Sequence, residues 1–298
     1  MLPLAGWLES LVRATLRSLP LSDYQKTRLW ATSLRRPQGR VQDWAYYRCI
    51  ELALRALSSP DWDRFSLPGA GHPTNKYSML EFGVANGHSF QLLLHFRDVW
   101  QQRLGLKNQI VALGFDTFEG LPEAGPGDSG LVYRVKDFSD VDLDALQKRL
   151  SAHRFAKFEL IKGVFSATLP SKVEFLREHV PIFVSIDCDF YSSTMDVFEA
   201  LIPTGIAPHG CMFYFDDVSI NFGSDKTGEM RAIREVNEGR FGQHICFVEH
   251  PLYIETGEIR HYHKLWHLFD LNAAEKAAAA RPTDHKLQVV TEHRISPL

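Results

Sequence analysis

Short apolar segments alternate with segments of helical periodicity throughout residues 77–268. A short apolar run that is bounded by glycine or by an acidic residue is typical of a buried strand. Strands that alternate with helices form right-handed βαβ units, which assemble into a mainly parallel sheet covered by helices on both faces. The pattern therefore predicts a doubly wound α/β fold, in which ligands bind beyond the carboxyl ends of the strands. The first five predicted strands are 79–84, 110–115, 158–161, 182–186 and 211–215.

The first strand is followed at once by a glycine turn and a helix. Gly83 and Gly87 close an apolar run that contains Glu81, and an amphipathic segment begins near His88. Glycine adopts positive φ without strain and lets a ligand approach the backbone, while the N-terminus of a helix offers unpaired N–H groups. A strand–helix turn that merely needs two glycines explains the same residues, so the glycine pair alone does not establish a binding site.

The composition is that of a soluble globular protein. Hydrophobic residues make up 45% of the chain, charged residues make up 23%, and the formal net charge of −3 gives no global attraction to nucleic acid. No apolar run approaches the ~18 residues of a spanning helix, and the N-terminus shows no signal-peptide pattern, so we expect a cytoplasmic protein with no membrane span. The cysteines are scattered, which favours buried free thiols over disulfides. They are Cys49, Cys188, Cys211 and Cys246.

The chain divides into three parts on the basis of these patterns. Residues 1–60 carry two runs of apolar residues at helical spacing, the second over 41–57, and are predicted to form an N-terminal helical extension. Because these apolar faces need a partner, we expect the extension to act as a lid over the ligand crevice or to form a contact in a homo-oligomer. Residues 61–270 form the α/β domain, in which 245–268 are further strands with a turn at Gly257, and residues 271–298 are a C-terminal extension.

Acidic residues stand at the ends of four predicted strands. In a parallel sheet these ends meet at one edge, and carboxylates gathered there repel one another unless something compensates. Hydrogen bonds to ribose hydroxyl groups would suit Asp116, and a hard divalent cation would suit the two aspartate pairs that follow the later strands. A helix N-cap explains any single aspartate, but it explains two pairs at neighbouring strand ends less well. The acids are Glu81, Asp116, Asp187, Asp189, Asp216 and Asp217.

Several segments of the chain resemble a known family. Glu81–Gly87 is similar to the cofactor loop of class I S-adenosylmethionine-dependent methyltransferases, a loop that many methyltransferases share. Four further segments resemble, in the same order, the macrocin O-methyltransferase group, which comprises the metal-dependent sugar methyltransferases of macrolide biosynthesis. With the cofactor loop they cover about residues 77–240. The four are Gly114–Pro122, Lys162–Pro170, Ile186–Thr194 and Phe215–Asp217.

The resemblance implies a Rossmann-like fold with a seven-stranded sheet, and S-adenosylmethionine as the methyl donor. The acid at the end of the second strand, Asp116, would take both ribose hydroxyl groups of the cofactor, and the first strand and its glycine turn would line the methionine and ribose part. The residues implied for cofactor binding are Glu81, Gly83, Gly87, Ser89, Asp116 and Thr117.

The resemblance also implies a metal site. Asp187, Asp216 and Asp217 match the acids that hold Mg²⁺ in the family. Asp189 is then a residue that supports the site without touching the ion, a fourth ligand or the general base, and the sequence leaves these three roles open. The candidate catalytic residues are therefore Asp189 and Asp187.

The function implied is that of a Mg²⁺-dependent O-methyltransferase that acts on a vicinal diol of a sugar or another small hydroxylated molecule. Mg²⁺ held by a few carboxylates keeps open positions that two neighbouring hydroxyl groups can fill. Coordination lowers the pKa of the hydroxyl group and aligns its oxygen with the methyl–sulfonium bond, and a nearby base takes the proton. Loops and lid segments usually determine acceptor specificity, and here we expect these segments to be the N-terminal helices and residues 119–140.

Two other functions use the same sheet. A NAD-type Rossmann oxidoreductase would need a closely spaced Gly-x-Gly-x-x-Gly, which the turn lacks, and Asp116 lies 29 residues beyond Gly87. A non-catalytic cofactor-binding module would not depend on the aspartate pairs.

Outside these motifs, His261 and His263 share one face of a predicted strand at a spacing found in metal sites. Two surface histidines explain this spacing better, because no third ligand accompanies them.

Overall fold

A computed structural model shows the fold. The residues that it describes are 41–57, 76–106, 110–128, 130–153, 155, 157–250, 252–255, 259–262 and 264–279. Residues 45–279 form one compact unit. The predicted helix within residues 1–40, the predicted turn at Gly257 and the chain after residue 279 lie outside the described residues. No helix in the described part is both long enough and apolar enough to cross a bilayer.

Helices and strands alternate as predicted over most of this unit. The helices are α1 (Val41–Ala56), α2 (His88–Leu104), α3 (Leu143–Ala152), α4 (Phe165–Thr168), α5 (Val173–Glu178), α6 (Tyr191–Leu201), α7 (Gly228–Asn237) and α8 (Leu271–Ala279). The strands are β1 (Tyr77–Phe82), β2 (Ile110–Asp116), β3 (Phe158–Lys162), β4 (Val180–Ile186), β5 (Met212–Phe215), β6 (Ile245–Glu249), β7 (Leu252–Glu255), β8 (Ile259–Tyr262) and β9 (Leu265–Asp270).

Seven of the strands form one sheet, in the order β3-β2-β1-β4-β5-β9-β6. The first five strands in this order, β3, β2, β1, β4 and β5, are all parallel, whereas β9 is antiparallel to both of its neighbours. The prediction of a doubly wound, mainly parallel sheet is therefore confirmed. The sequence did not predict that β9 lies between β5 and β6, or that β7 and β8 pair with each other outside this sheet.

The apolar runs form strands because helices cover both faces of the sheet. β4 is buried at every position, which is why its sequence reads as a continuous apolar run instead of an alternating one. On one face, Phe82 and Phe115 stack with their ring centroids 4.8 Å apart. Helix α1 contributes the ring of Tyr46, which packs edge-on against Tyr214 at 4.9 Å and against Phe183 at 5.8 Å.

The strand order places the acidic residues together. The chain runs outward from β1 to β2 and β3, and then returns to place β4 on the other side of β1. A crevice forms where the order of strands reverses, at their carboxyl ends. Phe82 is in register with Ile186, which is in register with Phe215, so the residues that follow these three strands begin at one level.

Candidate active site

The two glycines of the turn after β1 have different structural roles. Gly83 has a φ of +91°, and a Cβ atom on it would lie 1.7 Å from the carbonyl oxygen of Asp187. Close packing of the two loops therefore requires this glycine whether or not a ligand is bound. Gly87 has a φ of +74° and is the N-cap of α2. Both residues lie at the edge of the sheet where the sequence placed the cofactor.

The carboxyl group of Glu81 is fully buried and has two hydrogen-bond donors. Tyr46 of α1 donates to its Oε2 atom, and Ser89 at the start of α2 donates to Oε1 at 2.8 Å. Burial raises the pKa of Glu81 to about 8, although both hydrogen bonds favour the charged form. The hydroxyl group of Ser89 thus orients Glu81. No local sequence pattern indicates this contact with Tyr46, which lies 35 residues earlier in the chain.

The carboxylate of Asp116 holds the loop that follows β1. Its Oδ2 atom accepts hydrogen bonds from the main-chain N–H groups of Val84 at 2.8 Å and Ala85 at 2.7 Å. Its Oδ1 atom accepts one from Phe118 at 2.6 Å. Thr117 donates from its hydroxyl group to the carbonyl oxygen of Gly120 at 2.6 Å, which closes the turn after β2. The predicted cofactor residues therefore lie together on β1, β2, the turns that follow them and the start of α2.

Three aspartates converge at the ends of β4 and β5. Asp187, Asp216 and Asp217 each offer one carboxylate oxygen, and these three atoms lie within 4.8 Å of one another. The Oδ2 atom of Asp217 is buried and has no hydrogen-bond partner among the described residues. Carboxylate oxygens are the ligands that Mg²⁺ prefers, and an unpartnered buried oxygen is suited to coordinate an ion. The donor set therefore fits a hard divalent cation.

The electrostatics of these three aspartates also agree with a site for a divalent cation. Burial raises the pKa of Asp187 well above its usual value, and the charges of Asp216 and Asp217 raise it further. Burial also raises the pKa of Asp217. The Oδ1 atom of Asp216 accepts hydrogen bonds from Lys264 Nζ and from the Tyr214 hydroxyl group, both at 2.7 Å. A bound cation would offset the repulsion that the other carboxylates retain.

Asp189 stands beside the three aspartates and does not belong to the set. It has a φ of +63°, and its carboxyl group interacts with Asp217 and with the Tyr133 hydroxyl group. Burial, followed by the charge of Asp217, raises the pKa of Asp189 to about 8. A carboxylate with such a pKa accepts protons efficiently near neutral pH.

A loop that the sequence placed among the specificity segments reaches this cluster. Its base is closed by main-chain hydrogen bonds from Leu121 to the Asp137 oxygen and from Lys136 to the Leu121 oxygen, each of 2.9 Å. From the loop, Tyr133 donates to Asp217 Oδ1 at 3.1 Å. A cavity opens beside the carboxylates. Residues that line it include Val132, Tyr133, Asp189, Asp217, Ile220 and Met230.

The sequence did not identify three polar residues of the site: Tyr133, Glu229 and Lys264. Lys264 is only 5% exposed, and its ammonium group contacts Asp216. Glu229 is 1% exposed and accepts a hydrogen bond from the Asp217 main chain. An acidic residue in a first helical turn gives no sequence signal beyond helix capping, which is why Glu229 was missed. The side chains of His261 and His263 lie outside the described residues.

Comparisons with known proteins agree with this fold. The sequence model of a family described as "Macrocin-O-methyltransferase (TylF)" matches residues 78–239, which contain every candidate site residue named from the sequence. Among solved structures, the calicheamicin methyltransferase CalS11 is similar with a TM-score of 0.55 and 19% identity, covering 88% of this chain and 90% of that one. The O-methyltransferase NovP is similar with a TM-score of 0.50 and 14% identity, covering 89% of this chain and 98% of that one. A search of curated proteins gave no match.

Proposed function

Because the chain belongs to the macrocin O-methyltransferase family and is thus an S-adenosylmethionine-dependent O-methyltransferase, we propose that it uses Mg²⁺ to methylate one hydroxyl group of a vicinal diol on a sugar or a similar small molecule. The convergence of Asp187, Asp216 and Asp217 beside a cavity is the observation that supports this proposal most strongly. Family membership sets aside the NAD-type oxidoreductase and the non-catalytic module.

The donor binds at the carboxyl ends of β1 and β2 in this proposal. Gly83, Gly87 and Glu81, with Ser89 behind it, line the methionine and ribose part of S-adenosylmethionine. Asp116 accepts hydrogen bonds from the ribose hydroxyl groups. Its carboxylate already accepts three main-chain N–H groups, two at Oδ2 and one at Oδ1, so the capacity that remains for a ribose hydroxyl group is at Oδ1.

Asp187, Asp216 and Asp217 would hold Mg²⁺. The ion would act as a Lewis acid that lowers the pKa of an acceptor hydroxyl group and orients it. Asp189, which faces the same cavity, takes the proton of that hydroxyl group as general base. As the acceptor O–H bond breaks, the oxygen forms a bond to the methyl carbon and the S–CH₃ bond breaks, which leaves S-adenosylhomocysteine. Asp187 then has its catalytic role through the ion.

The acceptor occupies the cavity beside Asp189 and Asp217. Val132, Ile220 and Met230 give it apolar walls, and the Tyr133 hydroxyl group, which donates to Asp217 Oδ1, lies at its carboxylate end. The chemistry of this lining suits a sugar ring, because the C–H groups of a sugar pack on apolar side chains while its hydroxyl groups face the polar end.

Three further statements stay predictions. We propose that residues 1–60 act as a lid or subunit contact of the catalytic domain at 61–270, with 271–298 as an extension. The packing of Tyr46 against the sheet supports this proposal, because it brings α1 into contact with the domain. A cytoplasmic location and assembly into a homo-oligomer complete the proposal.

The test is methyl transfer from labelled S-adenosylmethionine to a panel of acceptors. The panel contains nucleotide-linked sugars, glycosylated natural products and catechol as a minimal vicinal diol, each with a monohydroxyl analogue. We expect transfer to a diol in the presence of Mg²⁺, little transfer to its monohydroxyl analogue, and none in excess chelator. Equal transfer with and without chelator would overturn the metal mechanism, and equal transfer to the monohydroxyl analogue would overturn the diol specificity.

A further inference from the structure

Glu229 is a buried acid whose role the mechanism does not yet include. It lies in the first turn of α7 and is 1% exposed. Its Oε2 atom accepts a hydrogen bond of 2.9 Å from the main-chain N–H group of Asp217. Its Oε1 atom is buried and has no hydrogen-bond partner among the described residues. Burying a carboxyl group in this way costs free energy, so a compensating function is expected.

The hydrogen bond from Asp217 fixes one side of a short turn. The carbonyl oxygen of Asp217 accepts a hydrogen bond from the Ile220 N–H group at 2.9 Å, which fixes the other side. The preceding residue, Asp216, donates its N–H group to the Ile186 oxygen at 3.0 Å and so continues the sheet. The main-chain N–H and carbonyl groups of Asp217 are thus both hydrogen-bonded, and its side chain is directed toward Asp187.

Glu229 does not belong to the set of mutually close carboxylates, which comprises Asp187, Asp216 and Asp217. It approaches Asp217 through the main chain. Its neighbours Gly228 and Met230 line the cavity. The first turn of α7 therefore forms a wall of the cavity. Through Glu229, the same turn also holds the main chain of Asp217, which lies at the polar end of the cavity.

We propose that Glu229 is a positioning residue for Asp217: by accepting the Asp217 N–H group, it holds that carboxylate where it takes part in binding a divalent cation. This inference rests on the proposed function, because it assumes that the three aspartates bind an ion. Residues that orient metal ligands typically change metal affinity by 10–100-fold when they are replaced.

The test is a titration with Mn²⁺, followed by electron paramagnetic resonance, on the full-length protein. Glu229→Met fills the buried space and removes the acceptor, so we expect its affinity for Mn²⁺ to fall about tenfold or more. Glu229→Gln keeps a carbonyl oxygen that accepts the N–H group, so its affinity is expected to stay within about threefold of the wild-type value. Glu238→Ala, at the other end of α7 and exposed, is the matched control. Glu229→Ala serves as a second variant if the methionine variant does not fold.

Binding of S-adenosylhomocysteine, measured by calorimetry, shows whether each variant keeps its cofactor site. Retained cofactor binding with weakened Mn²⁺ binding in Glu229→Met, and near-normal Mn²⁺ binding in Glu229→Gln, would support the inference. Wild-type affinity for Mn²⁺ in Glu229→Met would overturn it, as would equal losses in both variants, since these would indicate that charge matters and not the hydrogen bond. Failure of the wild-type protein to bind Mn²⁺ would contradict the proposed metal function itself.

Discussion

Gly83 lies so close to the main chain of Asp187 that no side chain fits between them. A Cβ atom on Gly83 would fall 1.7 Å from the Asp187 carbonyl oxygen and 2.6 Å from its carbonyl carbon. The turn that follows β1 therefore packs directly on the loop that follows β4. This contact joins the proposed cofactor site to the proposed metal site through rigid backbone.

Gly83→Ala is expected to destabilise the protein strongly. The obstacle is backbone, which cannot move aside as a flexible side chain can, so we expect a loss of about 2–4 kcal/mol in the free energy of unfolding. Gly105→Ala is the matched control, because Gly105 also has positive φ, +68°, but has nothing within 4 Å of a Cβ atom. Its cost is expected to be about 1 kcal/mol. Urea unfolding measures both values, and equal losses in the two variants would argue against a steric role for Gly83.

The buried carboxyl group of Glu81 predicts how stability depends on pH. Its pKa is raised to about 8 in the folded protein, from 4.5 when it is exposed to water. The folded state therefore holds a proton that the unfolded state releases between these two values. The stabilising contribution of this proton is fully present below the unfolded pKa and is lost as the pH rises toward 8, at up to about 1.4 kcal/mol per pH unit.

We therefore expect the metal-free protein to lose stability between pH 5 and pH 8, and Glu81→Gln to lose less over the same range. The amide side chain of this variant carries no titratable proton, so the contribution of this one group disappears while those of the aspartates remain. Urea unfolding in excess chelator at several pH values measures the slope for each protein. Equal slopes for the variant and the wild-type protein would show that Glu81 is not protonated in the folded state.

Asp116→Ala is expected to weaken the binding of S-adenosylhomocysteine by about 1–3 kcal/mol, because it removes charge-assisted hydrogen bonds to the ribose. Calorimetry measures this loss. Asp270→Ala is the control, since Asp270 also accepts main-chain N–H groups through its carboxylate, but at the far end of β9. Unchanged affinity in folded Asp116→Ala would remove Asp116 from the cofactor site.

The sequence predicted the strands and the acidic edge well, because both depend on local patterns. A parallel strand that is buried on both faces is an apolar run, and a topology with parallel strands brings their ends together. Contacts between distant segments were not predictable in this way. Tyr46 reaches Glu81 only because α1 packs on the sheet, and the position of β9 between β5 and β6 leaves no periodic signal. The sequence predicts a ligand-binding role for Gly83. The structure adds a packing role, which the spacing of the two glycines does not reveal.

Asp216 and Asp217 are expected to differ when each is replaced in the absence of metal. Asp217→Ala removes an unpartnered buried oxygen and a like charge, so the free energy of unfolding in chelator should stay the same or rise. Asp216→Ala leaves the buried ammonium group of Lys264 without its carboxylate, which should cost about 1–3 kcal/mol. Urea unfolding in chelator compares the two variants. A larger loss in Asp217→Ala than in Asp216→Ala would contradict this view of the charges.

Calorimetric titration of the wild-type protein with Mg²⁺, in the presence of S-adenosylhomocysteine, is the most direct test of the proposed metal centre. We expect one Mg²⁺ ion per chain, and loss of this binding in Asp217→Ala while that variant still binds S-adenosylhomocysteine. Binding of S-adenosylhomocysteine by the wild-type protein should also survive removal of the metal, because the two sites use different residues. Absence of Mg²⁺ binding by the wild-type protein, or unchanged binding in Asp217→Ala, would contradict a metal centre built from Asp187, Asp216 and Asp217.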